Sequence, residues 1–155
     1  TEVLSKGIEA KILDFQITDE FHTDLTEEIL QDSGFTFLMI SYNLDIITTQ
    51  VLPKFNELAE LAQKGGHKFI CLNASFPETV AEFQKTHDTN YPFLYVDQTV
   101  LKTIIRSNPG LLLIHRGAIL DKWHHNDIPD YTDLEQTYLK QVEEPMDEEM
   151  GTTEE

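Results

Sequence analysis

The stretch FLMISYNLDIITTQVLPKF, residues 37–55, holds an apolar run that stops at Asn43 and Asp45 and passes at once into a helical pattern. The run FTFLMIS, 35–41, is apolar on both sides of the strand alternation, which predicts a strand covered on both faces. From Asp45 to Lys64, the residues Val51, Leu52, Phe55, Leu58, Ala59 and Ala62 keep the 3.6-residue period. The spacing predicts one long helix with Pro53 inside its first two or three turns and Gly65-Gly66 as its stop. A buried strand feeding a helix in this way is the unit of a layered α/β domain.

The flanking sequence repeats that unit. KILDFQITDE (11–20) alternates Ile12, Asp14 and Gln16 against Leu13, Phe15 and Ile17, as a half-buried strand does. HTDLTEEILQDSG follows with Leu25, Ile29 and Leu30 at helical spacing, closed by Gly34. HKFICLNAS (67–75) reads as a second buried strand, and FPETVAEFQKTHD as a helix with Pro77 in its first turn and Val80, Ala81 and Phe83 on one face. YPFLYVD (91–97) is a short strand and QTVLKTIIRS a short helix. PGLLLIHRGAILDKWHH is two strands joined at Arg116-Gly117, where glycine supplies a positive φ. IPDYTDLEQTYLKQV closes the chain's folded part as a helix with Tyr131, Leu134, Tyr138 and Val142 inward. The order β-α-β-α-β-α-β-α-β-β-α predicts an α/β, three-layer α/β/α sandwich. Its mixed sheet ends in an antiparallel hairpin and a C-terminal helix.

A chain of 155 residues builds about one domain. Its 28 acids against 11 bases give a net charge of −17. Part of that charge lies in EEPMDEEMGTTEE, which has acids, no base and no apolar period, so 143–155 is expected to be a disordered acidic tail and 1–142 the domain. Without the tail the remainder stays near about −10, which argues against nucleic acid and anionic lipid as direct ligands. The single cysteine, Cys71, forbids an internal disulfide and any two-cysteine cycle within one chain. In KFICLNAS it reads as a small buried hydrophobe, with a reactive or partner-linking thiol as the alternative. No run is long and apolar enough to span a membrane, and no signal peptide is present. The chain opens at Thr1 without an initiator methionine, as a processed product or an excised domain would.

Two further clusters bear on chemistry. KWHHND places His124, His125 and Asp127 near each other, with His115 on the paired strand. These are zinc or copper ligand types, but His124 and His125 point to opposite faces unless the strand ends there, so strand-end histidines are the expectation. Trp123, Tyr91, Phe93 and Tyr95 form either an aromatic surface or sheet-face packing, and their strand spacing favours packing. There is no G-x-S-x-G elbow, Gly-rich phosphate loop or Rossmann fingerprint. No catalytic, metal-binding or cofactor-binding residue is therefore expected, and no cofactor.

The element order resembles the thioredoxin fold, most nearly its TlpA/AhpC-TSA branch. ILDFQITDEF is similar to that branch's entry strand, and FLMISYNLDIITTQVLPKFNELAE to its strand, active-site corner and long helix, with Pro53 at the kink proline. RSNPGLLLIHRGAIL is similar to the cis-proline loop and terminal hairpin, so the resemblance spans roughly residues 10–141. It implies that the redox cysteines would stand eight and five residues before Pro53, where this chain has Asp45 and Thr48. The pattern of a peroxidatic cysteine is also missing. Asp45 is then expected as an ordinary N-terminal anion or cap of the helix, with a ligand-binding role as the alternative. The resemblance aligns Pro109 with the cis-proline. If Asn108-Pro109 is cis, the backbone of Asn108 is free to grip an extended partner segment by strand addition, and a retained structural turn is the alternative.

A narrower resemblance runs through LKTIIRSNPGLLLIHRGAILDKWHHNDIP, which is similar to the soluble C-terminal domain of DoxX-family membrane proteins of Bacteroidetes. It implies a bacterial inner-membrane protein with this domain on the periplasmic side and its membrane region upstream. The expected function is a redox-inactive binding or regulatory domain, non-enzymatic, using Asn43, Asp45, Ile46, Ile47, Thr48, Asn108 and Pro109 as its partner face. The alternatives are a thiol-redox protein acting through Cys71 and a stand-alone periplasmic partner-binding protein.

Overall fold

A computed structural model describes residues 15–139. The tail 143–155, Val142 and the first part of the expected entry strand lie outside those residues. Helix α1 (Thr26–Leu30) precedes strand β1 (Phe35–Ser41), whose seven residues are all buried. Helix α2 (Leu52–Lys64) leads to β2 (Lys68–Asn73), and α3 (Pro77–His87) to β3 (Phe93–Tyr95). Helix α4 (Gln98–Ile104) leads to β4 (Gly110–His115) and β5 (Ala118–His124), and α5 (Tyr131–Leu134) continues as a π-helical turn over Glu135–Leu139.

The sheet order is β3-β2-β1-β4-β5. Strands β1, β2 and β3 are parallel, β4 runs antiparallel to β1, and β5 turns back antiparallel to β4. The reversed strand is thus β4, with β5 restored to the common direction. At the hairpin both turn residues take positive φ, Arg116 at 55° and Gly117 at 83°, as a two-residue turn matched to strand twist requires. One sheet face packs Phe37, Met39, Cys71 and Leu113 against Phe55, Ala59 and Val80, with Leu134 and Leu139 of the closing helix. The other packs Leu38, Ile40, Leu72 and Leu112 against Ile29 and Leu101. Helices on both faces explain why these strands read as continuous apolar runs.

Several expectations need correction. The long helix does not begin at Asp45: two 3₁₀ turns, Leu44–Ile46 and Thr49–Val51, precede α2. Asn43, Ile47 and Thr48 are extended there, and Thr48 spends its N–H outside the helix, on the Asn108 carbonyl. Pro53 therefore stands in the first turn of α2, where its missing N–H costs nothing, and makes no kink. The expected entry strand reduces, within the described residues, to bridges at Thr18, which exchanges both backbone hydrogen bonds with Tyr95. Asp19 ends it by accepting from the N–H groups of Phe21 and Thr23, an Asx-type turn. Helix α1 is correspondingly short, and Ala81 is exposed although Val80 and Phe83 are buried.

Cys71 lies at the centre of β2, paired with Met39 and Phe93, and burial pushes its thiol pKa well above the ordinary value. The thiol is protonated at neutral pH and shut off from solvent, so the folded chain should react with Ellman's reagent about a thousandfold more slowly than the unfolded chain. Reaction at the rate of a free thiol would instead support the single-cysteine redox alternative.

Candidate functional site

The β1–β4 register sets Ile40 opposite Gly110, so Ser41 and the chain beyond it meet the Ser107–Pro109 loop at the carboxyl ends of the parallel strands. Loops converge on that edge in open α/β sheets. The Asn108–Pro109 peptide bond is cis. Asn108 is 8% exposed and ties the edge together. Its Oδ1 accepts from the Ser41 hydroxyl (2.7 Å), its Nδ2 donates to the Asn43 carbonyl (2.9 Å), and its own carbonyl accepts from the Thr48 N–H (3.0 Å). The expectation is that the backbone of Asn108 grips a partner segment, and its carbonyl already carries a hydrogen bond from within the corner.

Ser107 holds the other side of the loop. Its Oγ lies 2.6 Å from the Pro109 carbonyl and 2.8 Å from both the backbone N and Nδ1 of His125. A hydroxyl has one proton, and the Pro109 carbonyl can only accept, so that proton goes to Pro109. His125 must then donate from both its backbone N–H and its Nδ1–H. The Ser107–His125 pair is thus a strut of the loop, with the serine proton turned away from the imidazole. Burial, and after it the neighbouring His124, pulls the His125 pKa below its ordinary value. Strand β5 ends at His124, which brings the two rings to 4.1 Å.

His115 sits at the far end of the hairpin, opposite Ala118, where its ring stacks on Phe35. It cannot join His124 and His125, and among the described residues no group of three or more His, Cys, Asp or Glu is placed to hold a metal ion. Tyr91 and Phe93 are buried and stacked on each other, while Trp123 packs edge-on against Tyr138. These aromatics are packing. Tyr138 also donates to Asp121. Among the described residues no helix is long and apolar enough to cross a membrane.

The remaining expected face residues divide. Asp45 is exposed, but Asn43 is the cap: its Oδ1 accepts from the Asp45 N–H (2.9 Å), which leaves the Asp45 carboxylate outside the capping arrangement. Ile47 is buried with Leu44 and Leu52 in the core, and Pro109 is buried too, so neither presents its side chain on a face. Ile46 is the opposite case, 63% exposed. Phe76, which the sequence pattern gave no reason to single out, is 77% exposed at the start of α3. The Leu44 N–H donates to Ser75 Oγ (3.3 Å), which ties the loop carrying Phe76 to the turn carrying Ile46. Ser41 and Ser107 were likewise missed, because a serine at a strand end or in a loop gives no periodic signal, and His125, weighed only as a strand-end histidine, gave no sign of its bond to Ser107.

No protein-family model matches the chain, and no curated protein matches it by sequence. Solved structures do. A solution structure from Bacteroides thetaiotaomicron, described provisionally as a protein disulfide isomerase, superposes with a TM-score of 0.62 at 19% identity, over 82% of this chain and 85% of that one. A thiol-disulfide isomerase from Corynebacterium glutamicum gives 0.60 at 14% identity, over 79% and 90%. A thiol peroxidase from Chromobacterium violaceum gives 0.59 at 11%, over 87% of each. At these identities the likeness establishes the thioredoxin-like fold of this chain and nothing of its activity.

Asn108→Ala removes both side-chain bonds and leaves the buried Ser41 hydroxyl without its acceptor, while the Asn43 carbonyl keeps the Ile46 N–H, so it should destabilise the fold by about 1–3 kcal/mol in urea denaturation. Adding Ser41→Ala should cost much less in that background than in the wild type, since the two act as a pair. Fully additive losses would show that the pair is not coupled.

Proposed function

We propose that this chain is a redox-inactive thioredoxin-like domain that binds an extended protein segment at its strand-end corner. The exposure of Ile46 and of Phe76, on two loops joined by the Leu44–Ser75 hydrogen bond, carries this reading. A lone exposed apolar side chain is ordinary. Two large ones on hydrogen-bonded neighbouring loops, at the edge where the strands end, offer apolar surface suited to a partner's side chains. In this reading Asn43, Asp45, Thr48 and Asn108 supply the polar groups of the same corner, and Ile47 and Pro109 are buried within it. No sulfur stands at Asp45 or Thr48, and Cys71 is buried in β2, which supports recognition without thiol exchange.

A short extended peptide alternating valine with serine should shift the amide resonances of residues 43–48, 76 and 107–108 saturably. Ile46→Asp should weaken that binding by about tenfold while leaving the melting temperature nearly unchanged, since the side chain is already solvated. No saturable shift, or shifts unchanged in the variant, would overturn the corner as a binding face.

The same proposal gives the domain its setting, the soluble C-terminal part of a DoxX-like bacterial inner-membrane protein on the periplasmic side. The similarity of LKTIIRSNPGLLLIHRGAILDKWHHNDIP to such domains supports it. An antibody against this domain should detect a species larger than 17.9 kDa in the detergent-extracted membrane fraction of the native cells. A soluble species of the chain's own mass would favour a stand-alone partner-binding protein instead.

A further inference from the structure

Beside the corner, Tyr42, Thr99, Lys102, Thr103 and Arg106 line an open cleft of about 580 Å³. It contains two cations and no acid, in a chain where acids outnumber bases 28 to 11. Three lysines elsewhere are paired with carboxylates: Lys54 with Asp130, Lys64 with Glu60 and Lys68 with Asp32. Neither Lys102 nor Arg106 forms such a pair among the described residues. Lys102 Nζ stands 5.2 Å from the Tyr42 ring centroid, a cation–π contact that holds the ammonium over the cleft without neutralising it. Lys122 brings a third charge to the same end of α4, where its Nζ donates to the Ile104 carbonyl (2.9 Å). The Thr103 hydroxyl donates to Val100, which leaves its lone pairs as acceptors and the donor work to the cations.

We propose that this cleft binds a carboxylate carried by the extended segment that docks at the corner. The inference rests on the corner reading and specifies its partner: an apolar side chain against Ile46 and Phe76, with a carboxylate placed further along the segment. Continuity of the chain supports it. Tyr42 adjoins Asn43, and Arg106 adjoins Ser107 and Asn108, so one extended segment can reach both places. A guanidinium fork on a carboxylate gives geometry as well as attraction. An isolated carboxylate fits better than a polyanion, because the net charge of −17 repels a long anionic chain while two local cations suffice for one group.

The test titrates the full chain with two extended peptides that are identical except that one carries glutamate where the other carries glutamine. The glutamate peptide should shift the amides of Tyr42, Lys102, Thr103 and Arg106, and should bind at least about tenfold more tightly than the glutamine peptide at low salt. The advantage should vanish in K102E/R106E and shrink in R106Q, both exposed substitutions whose folding is checked by an unchanged amide spectrum elsewhere. Equal affinity for the two peptides, or the full glutamate advantage persisting in K102E/R106E, would overturn the proposal. So would movement of the cleft amides, with no peptide added, on changing the seven acids of 143–155 to their amides, since the occupant would then be the chain's own tail. If both peptides move residues 43–48 alike and neither moves the cleft, this inference falls and the corner reading stands. If the glutamate peptide moves the cleft alone, the carboxylate site stands and the corner reading falls.

Discussion

Asn108 reaches three separate pieces of the corner, the end of β1 through Ser41, the chain just after it through Asn43, and the turn before α2 through Thr48. An amide buried at a sheet edge needs an acceptor and a donor within reach, and leaving either end unpaired costs more than the bond itself returns. Satisfying it fixes where the backbone runs from 41 to 48. With Thr48 drawn to Asn108, the backbone at Ile47 and Thr48 is extended, so the helical pattern written from Asp45 onward is interrupted and α2 starts only at Leu52. Ser107 completes the arrangement from the other side by joining Pro109 to His125. The loop is held on both flanks by bonds that are buried or partly buried.

The same bonds decide what the corner can do chemically. In the dithiol relatives that this sequence resembles, amides at the helix start stabilise a thiolate. Here the Asp45 N–H is taken by Asn43 and the Thr48 N–H by Asn108. The two positions where the resemblance would put the cysteines thus carry no sulfur and have their amides committed within the corner. Cys71, at the middle of β2 with its thiol pKa raised by burial, offers no substitute. What the corner exposes is apolar surface at Ile46 and Phe76, and apolar surface supports association rather than electron transfer.

Much of the architecture was legible because the strands are covered on both sides. The runs 37–40 and 69–72 had to be apolar throughout to be buried between helices, and their order around the amphipathic α2 pattern led to the mixed sheet. Hydrophobic periodicity said nothing about where a helix begins when side-chain amides compete for its first N–H groups, which is why Asp45 read as a cap and Asn43 took that place. It also averaged Ile46 and Ile47 together, although one faces solvent and the other the core, because a 3₁₀ turn followed by an extended residue obeys neither the helical nor the strand period. The polar half of the site, Ser41, Ser107 and His125, is assembled from positions far apart in the chain. Each residue alone reads as an ordinary loop or strand-end residue.

Charge adds a filter that apolar surface alone lacks. Beyond a Debye length of about 8–10 Å a partner meets mainly the summed negative field of this chain, which slows every polyanion. Within that distance it meets individual groups, and at the C-terminal end of α4 those are Lys102, Arg106 and Lys122, with no acid lining the cleft. On the proposed reading, a segment with many carboxylates would be rejected before it could profit from these cations, and one with none would gain nothing from them. The exposed Ile46 and Phe76 would by themselves accept almost any exposed hydrophobic chain. Combined with local cations inside a repelling field, they would select for a segment whose apolar and single anionic groups are spaced to match the corner and the cleft. Selectivity then comes from exclusion as much as from attraction.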